Sequence, residues 1–387
     1  MIRVTHIIKA TSVAGAERHL LILLPALIPL GVQPSLIVLI EPEHPLEDYV
    51  QTLKGLGVAV QQIVIEGDID LGLAWKLRHA LQALQPDVVH THLIHADLFG
   101  MIGAKLAGIR HVISSRHNDN PFRRRMALRL LHRGLWGMSA GGIGISDSIR
   151  QFCLEVEGAS PDKLITIHYG IHADQTAHPT APARQRLREE LKLPPNAFIF
   201  GYMCRLIEQK GIRFGLEAFA QIAPHYPHAY TVIAGKGALM PSLQAQVADL
   251  GLAERVHFLG WRTEPTATLA GYDVLMMPSL WEGFGLVMLE AMANGLPIIG
   301  SAVSAIPEVV AHGESGLLVP PRDVDQLAQA MRRLLDEPTT LQAMQQHARA
   351  RLASHFNADR MAMQTVEFYR RVNHGVVSAI PTSAPRK

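Results

Sequence analysis

Short aliphatic and β-branched runs alternate with stretches in which apolar positions recur every three or four residues, along nearly all of the 387-residue chain. A short continuous apolar run bounded by turn residues predicts a strand buried on both faces, and the 3.6-residue period predicts a helix with one face in the core. In the first half, strands are predicted over Arg3–Ile8, Ser35–Ile40, Val58–Ile65, Asp87–Thr91, His111–Ser114, Gly142–Ile145 and Leu164–Ile167. In the second half they are Phe198–Cys204, Ala229–Ala234, Val256–Leu259, Val274–Met277, Pro297–Gly300 and Gly316–Val319. Helices are predicted between them, among them Ala16–Leu30, Leu73–Leu84, Ile212–Ile222, Met240–Leu250 and Val324–Leu335. Strands that alternate with helices form parallel, doubly wound sheets, so the class is α/β.

The alternation breaks once. From Ala173 to Pro195 the chain is rich in Pro, Ala and charge and has no strand pattern. The expected organisation is an α/β domain over 1–172, a linker over 173–195 and a second α/β domain over 196–356. A helix within 357–375 is expected to pack back toward the first domain, and the tail 376–387 to be disordered. Two such domains are expected to face each other across a cleft.

Composition narrows the class of function. Hydrophobic residues make up 48% and charged residues 18%, a globular balance. The net charge of +2 argues against a nucleic-acid partner. Cys153 and Cys204 have neither metal nor redox spacing, which suits a reducing compartment. The longest apolar run, Leu20 to Val32, contains Pro25 and Pro29 and is short of the roughly 20 residues of a spanning helix. No signal peptide is read at the N-terminus, and the expected location is the cytoplasm.

Candidate chemistry concentrates after the strand Val274–Met277. There Ser279-Leu280-Trp281-Glu282-Gly283-Phe284-Gly285-Leu286 reads as a glycine-rich loop opening a helix. Gly283 and Gly285 let backbone approach a ligand closely, and the N–H groups of Leu286 and Val287 at a helix start favour an anion such as phosphate. Glu290 is the lone charge on an otherwise apolar helix, so its carboxylate needs a partner, either protein or ligand. Glu282 and Glu290 are eight positions apart, ~12 Å at helical rise. A glycine turn beside a buried, salt-bridged Glu is the plainer alternative.

Glu282, seven intervening residues and Glu290, around Gly-Phe-Gly-Leu, resemble the E-x7-E signature of family-4 retaining glycosyltransferases, whose fold is GT-B. Pro278-Ser279 before it and Ala291-Met292-Ala293-Asn294-Gly295-Leu296-Pro297 after it fit the same pattern. The segment Gly201 to Gly211 resembles the family's G-R-L…K-G stretch, in which the Arg and Lys, here Arg205 and Lys210, clamp the diphosphate. His117 matches a His near the anomeric carbon of the donor, and Gly15 and Glu17 match a G-G-x-E loop, with Ala16 in place of its second glycine. The resemblance implies two Rossmann-like domains, a nucleotide-sugar donor on the second and an acceptor on the first. It assigns Glu282, with the backbone of Gly283, Phe284, Gly285, Leu286 and Val287, to the donor sugar, and Glu290 to the ribose. Glu282, His117, Arg205 and Lys210 are the implied catalytic set, with no metal and no cofactor. A UDP-sugar is favoured as donor, a glycan or lipid-linked acceptor is expected, and cell-surface polysaccharide or glycoconjugate synthesis is the expected setting.

Two other readings compete. His90, His92 and His95, with Asp97, resemble half of a binuclear metal hydrolase, although Ile94 stands where that motif has Asp and no second cluster follows. A non-catalytic nucleotide-sugar-binding protein of the same fold is the other. The stretch Phe122 to Trp136 combines five Arg with Leu, Met and Trp, and predicts either a solvated helix face or contact with the inner face of an anionic membrane.

Overall fold

The computed structural model describes residues 1–67, 70, 72–172 and 181–375. The described chain forms two compact units, one of residues 1–170 with residues 358–375, the other of residues 171–357. The first carries β1 (Ile2–Lys9), β2 (Val32–Ile40), β3 (Ala59–Val64), β4 (Val88–His92), β5 (Val112–Arg116), β6 (Gly141–Gly144) and β7 (Leu164–Thr166). The second carries β8 (Phe198–Met203), β9 (Ala229–Ala234), β10 (Val256–Gly260), β11 (Val274–Met277), β12 (Ile298–Ser301) and β13 (Gly316–Val319). Each strand expected from the apolar pattern is present, with ends moved by a few residues.

The strand orders are β3-β2-β1-β4-β5-β6-β7 and β10-β9-β8-β11-β12-β13, with parallel pairing throughout. This is the Rossmann-like order, in which the winding reverses between β1 and β4 and between β8 and β11. Ligands of such sheets bind beyond the carboxyl ends of the strands that flank the reversal. In the second unit, Phe200, Phe219, Met276 and Leu327 are fully or almost fully buried between the sheet and its helices. In the first, Ile7, Ile37, Leu77 and Val89 do the same work.

Among the helices that the apolar pattern did not single out are Pro338–His355 and Ala181–Glu190. Pro338–His355 buries only a narrow stripe of Met344, Ala348 and Leu352, too little apolar surface for a clear 3.6-residue signal. Ala181–Glu190 lies inside the segment expected as linker, yet it is tied into the second unit. Its Arg188 donates to the Ala197 and Gly271 carbonyls and to Asp273. The rest of that segment, 173–180, and the tail 376–387 lie outside the described residues. The helix Ala358–Asn373 is part of the first unit, where Phe368 lies against Gly141. Among the described residues, no helix is long and apolar enough to cross a membrane.

Candidate active site

In the second unit, the loops that follow β8 and β11 flank the winding reversal, and they carry the acids and bases singled out above. Hydrogen bonds stitch the two loops together: Leu280 N–H donates to the Gln209 carbonyl at 2.8 Å, and the Gln209 amide donates to the Trp281 carbonyl at 3.0 Å. Gly211 lets them approach. Its φ is +59°, and a Cβ there would lie 1.9 Å from the Pro278 carbonyl oxygen. Gly285 has φ +81° and ends the second loop as the cap of the helix Leu286–Ala293. That left-handed conformation suits glycine and turns the N–H groups of Leu286 and Val287 out of the helix start.

Lys210 and Glu282 form an ion pair between the two loops, with side-chain exposures of 12% and 9%. Arg205 is exposed on the same loop as Lys210. The charges of Lys210, Glu282 and Arg205 all reach the Cys204 thiol, which burial pushes up to about 11. Lys210 and Glu282 therefore share one patch beyond β8, with Arg205 five positions earlier on the same loop. Glu290 is buried in the second turn of the helix, and Phe284 is buried edge-on to Phe356, with ring centroids 5.9 Å apart. The helix is buried at every position except Val287.

In the first unit, the loop after β1 leads into the helix Gly15–Leu27. A Cβ at Gly15 would meet nothing within 4 Å, so the backbone there is open to close approach. Glu17 is buried and accepts from the Ala14 N–H at 3.0 Å, closing the start of its own helix. His117 follows β5 and is buried, with both ring nitrogens engaged: Nδ1 with the Tyr169 hydroxyl, and Nε2 with His92 Nδ1 at 3.0 Å. It is one of a set of packed rings with His6, His19, His90, His92, Tyr169 and Tyr369.

The trio of His90, His92 and His95 does not assemble. Leu93 adopts φ +69° as the strand ends, and His95 leaves on a short helix while His90 and His92 stay on the sheet face. The third ring beside them is His6, from the neighbouring strand β1. His6, His19, Tyr169 and Tyr369 escaped the sequence reading. Their one available signal was the His at alternate positions 90 and 92, which places two imidazoles on one sheet face.

Comparison with known proteins agrees with this geometry. Residues 13–175 match the model described as Glycosyltransferase Family 4, and residues 183–351 match Glycosyl transferases group 1. The chain is 30% identical over 280 residues to the Escherichia coli UDP-Gal:alpha-D-GlcNAc-diphosphoundecaprenol alpha-1,3-galactosyltransferase, covering 70% of this chain and 72% of that protein. The chain belongs to glycosyltransferase family 4. This glycosyltransferase is also 27% identical over 333 residues to the 2-deoxystreptamine glucosyltransferase of Streptomyces kanamyceticus, covering 80% of the chain and 85% of that protein. Its fold is that of the Anabaena HepE crystal structure in complex with UDP and glucose, with a TM-score of 0.83 at 20% identity, over 95% of this chain and 99% of that one.

The buried rings of the glycosyltransferase give its first unit a pH dependence. Burial lowers His6 and His19 to about 3 and His132 to about 4, and holds His90, His92 and His117 well below the ordinary imidazole range. Unfolded, each would titrate near 6.5. The unfolded chain therefore binds more protons below that pH, so stability is complete above pH ~6.5 and falls as pH drops toward 3. Glu157, lowered to about 2, adds a loss of the same sign below about 4.5, while Glu17, raised by burial, works in the opposite direction. Urea midpoints should accordingly be lower at pH 5 than at pH 7.5, and equal midpoints would show that these rings are already protonated in the folded chain.

Proposed function

We propose that the protein is a retaining glycosyltransferase that takes its sugar from a nucleotide-sugar donor, with a UDP-sugar favoured. The supporting observation is the Lys210–Glu282 ion pair, with Arg205 exposed on the same loop as Lys210, between the loops flanking the winding reversal of the second unit. Departure of a nucleoside diphosphate builds negative charge, and fixed cations beside it stabilise that charge. Arg205 offers a planar guanidinium able to grip phosphate with two hydrogen bonds. Lys210 and the outward N–H groups of Leu286 and Val287 add to it. Glu282 and the Gly283–Leu286 backbone orient the sugar, and Glu290 holds the ribose. His117, whose ring nitrogens are both engaged inside the first unit, belongs to the catalytic set in this reading.

In this reading the bond to the leaving phosphate breaks through an oxocarbenium-like transition state. The departing phosphate takes the acceptor's proton, so no protein base is required. Arg205 and Lys210 supply the positive charge, so no metal is required either.

The acceptor is a glycan or a lipid-linked saccharide, and the setting is cell-surface polysaccharide or glycoconjugate synthesis at the inner face of the membrane. The named Escherichia coli relative, which acts on a diphosphoundecaprenol-linked sugar, supports this choice. The segment Pro121–Met138 supports it too. On its helix Met126–Met138, Met126 and Leu130 are exposed one turn apart beside exposed Arg129 and Arg133, an apolar-basic face suited to an anionic lipid surface, and Phe122 and Arg125 are exposed just before it.

A thermal-shift comparison tests the donor assignment. UDP at 100 times its dissociation constant should stabilise the fold by about 2.7 kcal/mol. Uridine, which has no phosphates, should do far less. Equal shifts from both would sink the diphosphate assignment.

A further inference from the structure

The rings behind His117 form one continuous hydrogen-bonded chain within the first unit. Tyr169 Oη meets His117 Nδ1, and His117 Nε2 meets His92 Nδ1 at 3.0 Å. His92 Nε2 meets His6 Nδ1 at 2.9 Å, and His6 Nε2 meets Tyr369 Oη at 3.2 Å. Tyr369 Oη also meets His90 Nδ1 at 2.8 Å, and His90 Nε2 ends the chain on Ser115 Oγ at 2.8 Å. All seven residues are buried.

A neutral imidazole has one donor and one acceptor nitrogen, and a phenol donates once. Burial and mutual repulsion keep these imidazoles neutral. Two proton arrangements then satisfy every link and also give the Tyr369 hydroxyl proton an acceptor within the chain. If Tyr169 donates to His117, all four histidines carry the proton on Nε2, Tyr369 donates to His90, and Ser115 accepts. If Ser115 donates to His90, all four carry it on Nδ1, Tyr369 donates to His6, and Tyr169 accepts. A mismatch among His117, His92 and His6 would bring two N–H groups, or two lone pairs, face to face, and a mismatch across Tyr369 would leave either two lone pairs for its single proton or two N–H groups on its oxygen with its own proton lacking an acceptor in the chain, in each case at the cost of an unsatisfied polar group. The two arrangements contain the same protons and differ only in direction.

We propose that Tyr169, His117, His92, His6, Tyr369, His90 and Ser115 form a single proton-ordered chain that ties the tautomer of His117 to those of His92, His6 and His90, with Tyr369 on the C-terminal helix as a positioning residue. His6, His90 and His92 also lie close enough together to share a metal ion, one ligand atom from each within 4.8 Å of the others. Their nitrogens are already engaged with one another, with Tyr369 and with Ser115, which favours the proton chain. The ordering stands on the hydrogen-bond geometry and the neutrality of the buried rings, and its effect on turnover rests on the reading of His117 as a site residue.

The test is a long-range proton–nitrogen NMR spectrum of histidine-labelled full-length protein near pH 7.5, which reads the tautomer of each ring. All four histidines should show the same tautomer and none the imidazolium. Tyr369→Phe keeps the ring and removes the hydroxyl that joins His6 to His90, so His90 should lose its match to the other three. In that variant, sugar release should lose kcat at unchanged UDP affinity. A mixed set in the wild type, an imidazolium among the four, or stoichiometric zinc in the purified protein would overturn the chain. An unchanged kcat in Tyr369→Phe would overturn the positioning role. A wild type that binds no UDP would instead overturn the functional reading and leave the tautomer result standing.

Discussion

Replacing Arg205 by alanine should weaken UDP binding about 10- to 100-fold, the loss expected when a phosphate forfeits ~1.5–3 kcal/mol of charge-assisted hydrogen bonding. Glu282→Ala should behave differently. In this structure Glu282 holds Lys210 in an ion pair, so a diphosphate that recruits the ammonium must share it with the carboxylate. Removing the carboxylate leaves Lys210 free for phosphate, and UDP should bind as tightly as to the wild type, or more tightly. Sugar release from a UDP-sugar should still fall, by about 100-fold, because the group proposed to orient the sugar is gone. Calorimetric UDP titrations of both variants, beside turnover of the donor, separate the two roles. If Glu282→Ala lost UDP affinity as Arg205→Ala does, Glu282 would belong with the phosphates and not with the sugar.

Glu157→Gln should destabilise the first unit by ~3–5 kcal/mol, the range for removing one partner of a buried ion pair. Glu157 is fully buried, and its carboxylate accepts from Arg116 Nε at 2.8 Å, Arg123 Nη1 at 2.8 Å and Trp136 Nε1 at 3.0 Å. Arg116 also pairs with buried Asp97 and lies over the Trp136 ring, 4.7 Å from its centroid. Two guanidiniums are thus balanced by two carboxylates away from water. Glutamine keeps the shape and removes one negative charge, leaving an uncompensated guanidinium in a site that solvent cannot reach. Glu155→Gln, two residues earlier and exposed, should change stability by no more than ~0.5 kcal/mol. Urea unfolding of the two variants makes the comparison, and equal midpoints would mean that the buried cluster is not held by charge balance.

The strands were legible because parallel strands covered on both faces read as unbroken apolar runs, with little to confuse them. The donor-side candidates were legible for a related reason. A loop that closes on a helix start needs its glycines and its acid within a few positions of one another, so Glu282, Gly285 and Glu290 lie in a single window of sequence. The buried chain behind His117 was not legible, because its links join distant parts of the chain. His6 meets Tyr369 across 363 positions and His90 meets it across 279, and no local period marks such a pair. His95 was misread for a local reason: the spacing treats 90–95 as one stretch, but the left-handed turn at Leu93 sends His95 off the strand. The ionic cluster was hidden in the same way, since Arg123 belongs to a stretch read as a solvated or membrane-facing surface, yet its side chain turns inward onto Glu157.

Retaining transfer from a nucleotide sugar can be followed without knowing the acceptor, using water in its place. The protein is incubated with an α-linked UDP-sugar, and the anomeric proton of the first released sugar is recorded by NMR before mutarotation. Release of the α-anomer, slowed in Arg205→Ala, is the predicted outcome. Release of the β-anomer first would contradict retention, and the absence of release from every nucleotide sugar tried would contradict the donor assignment itself.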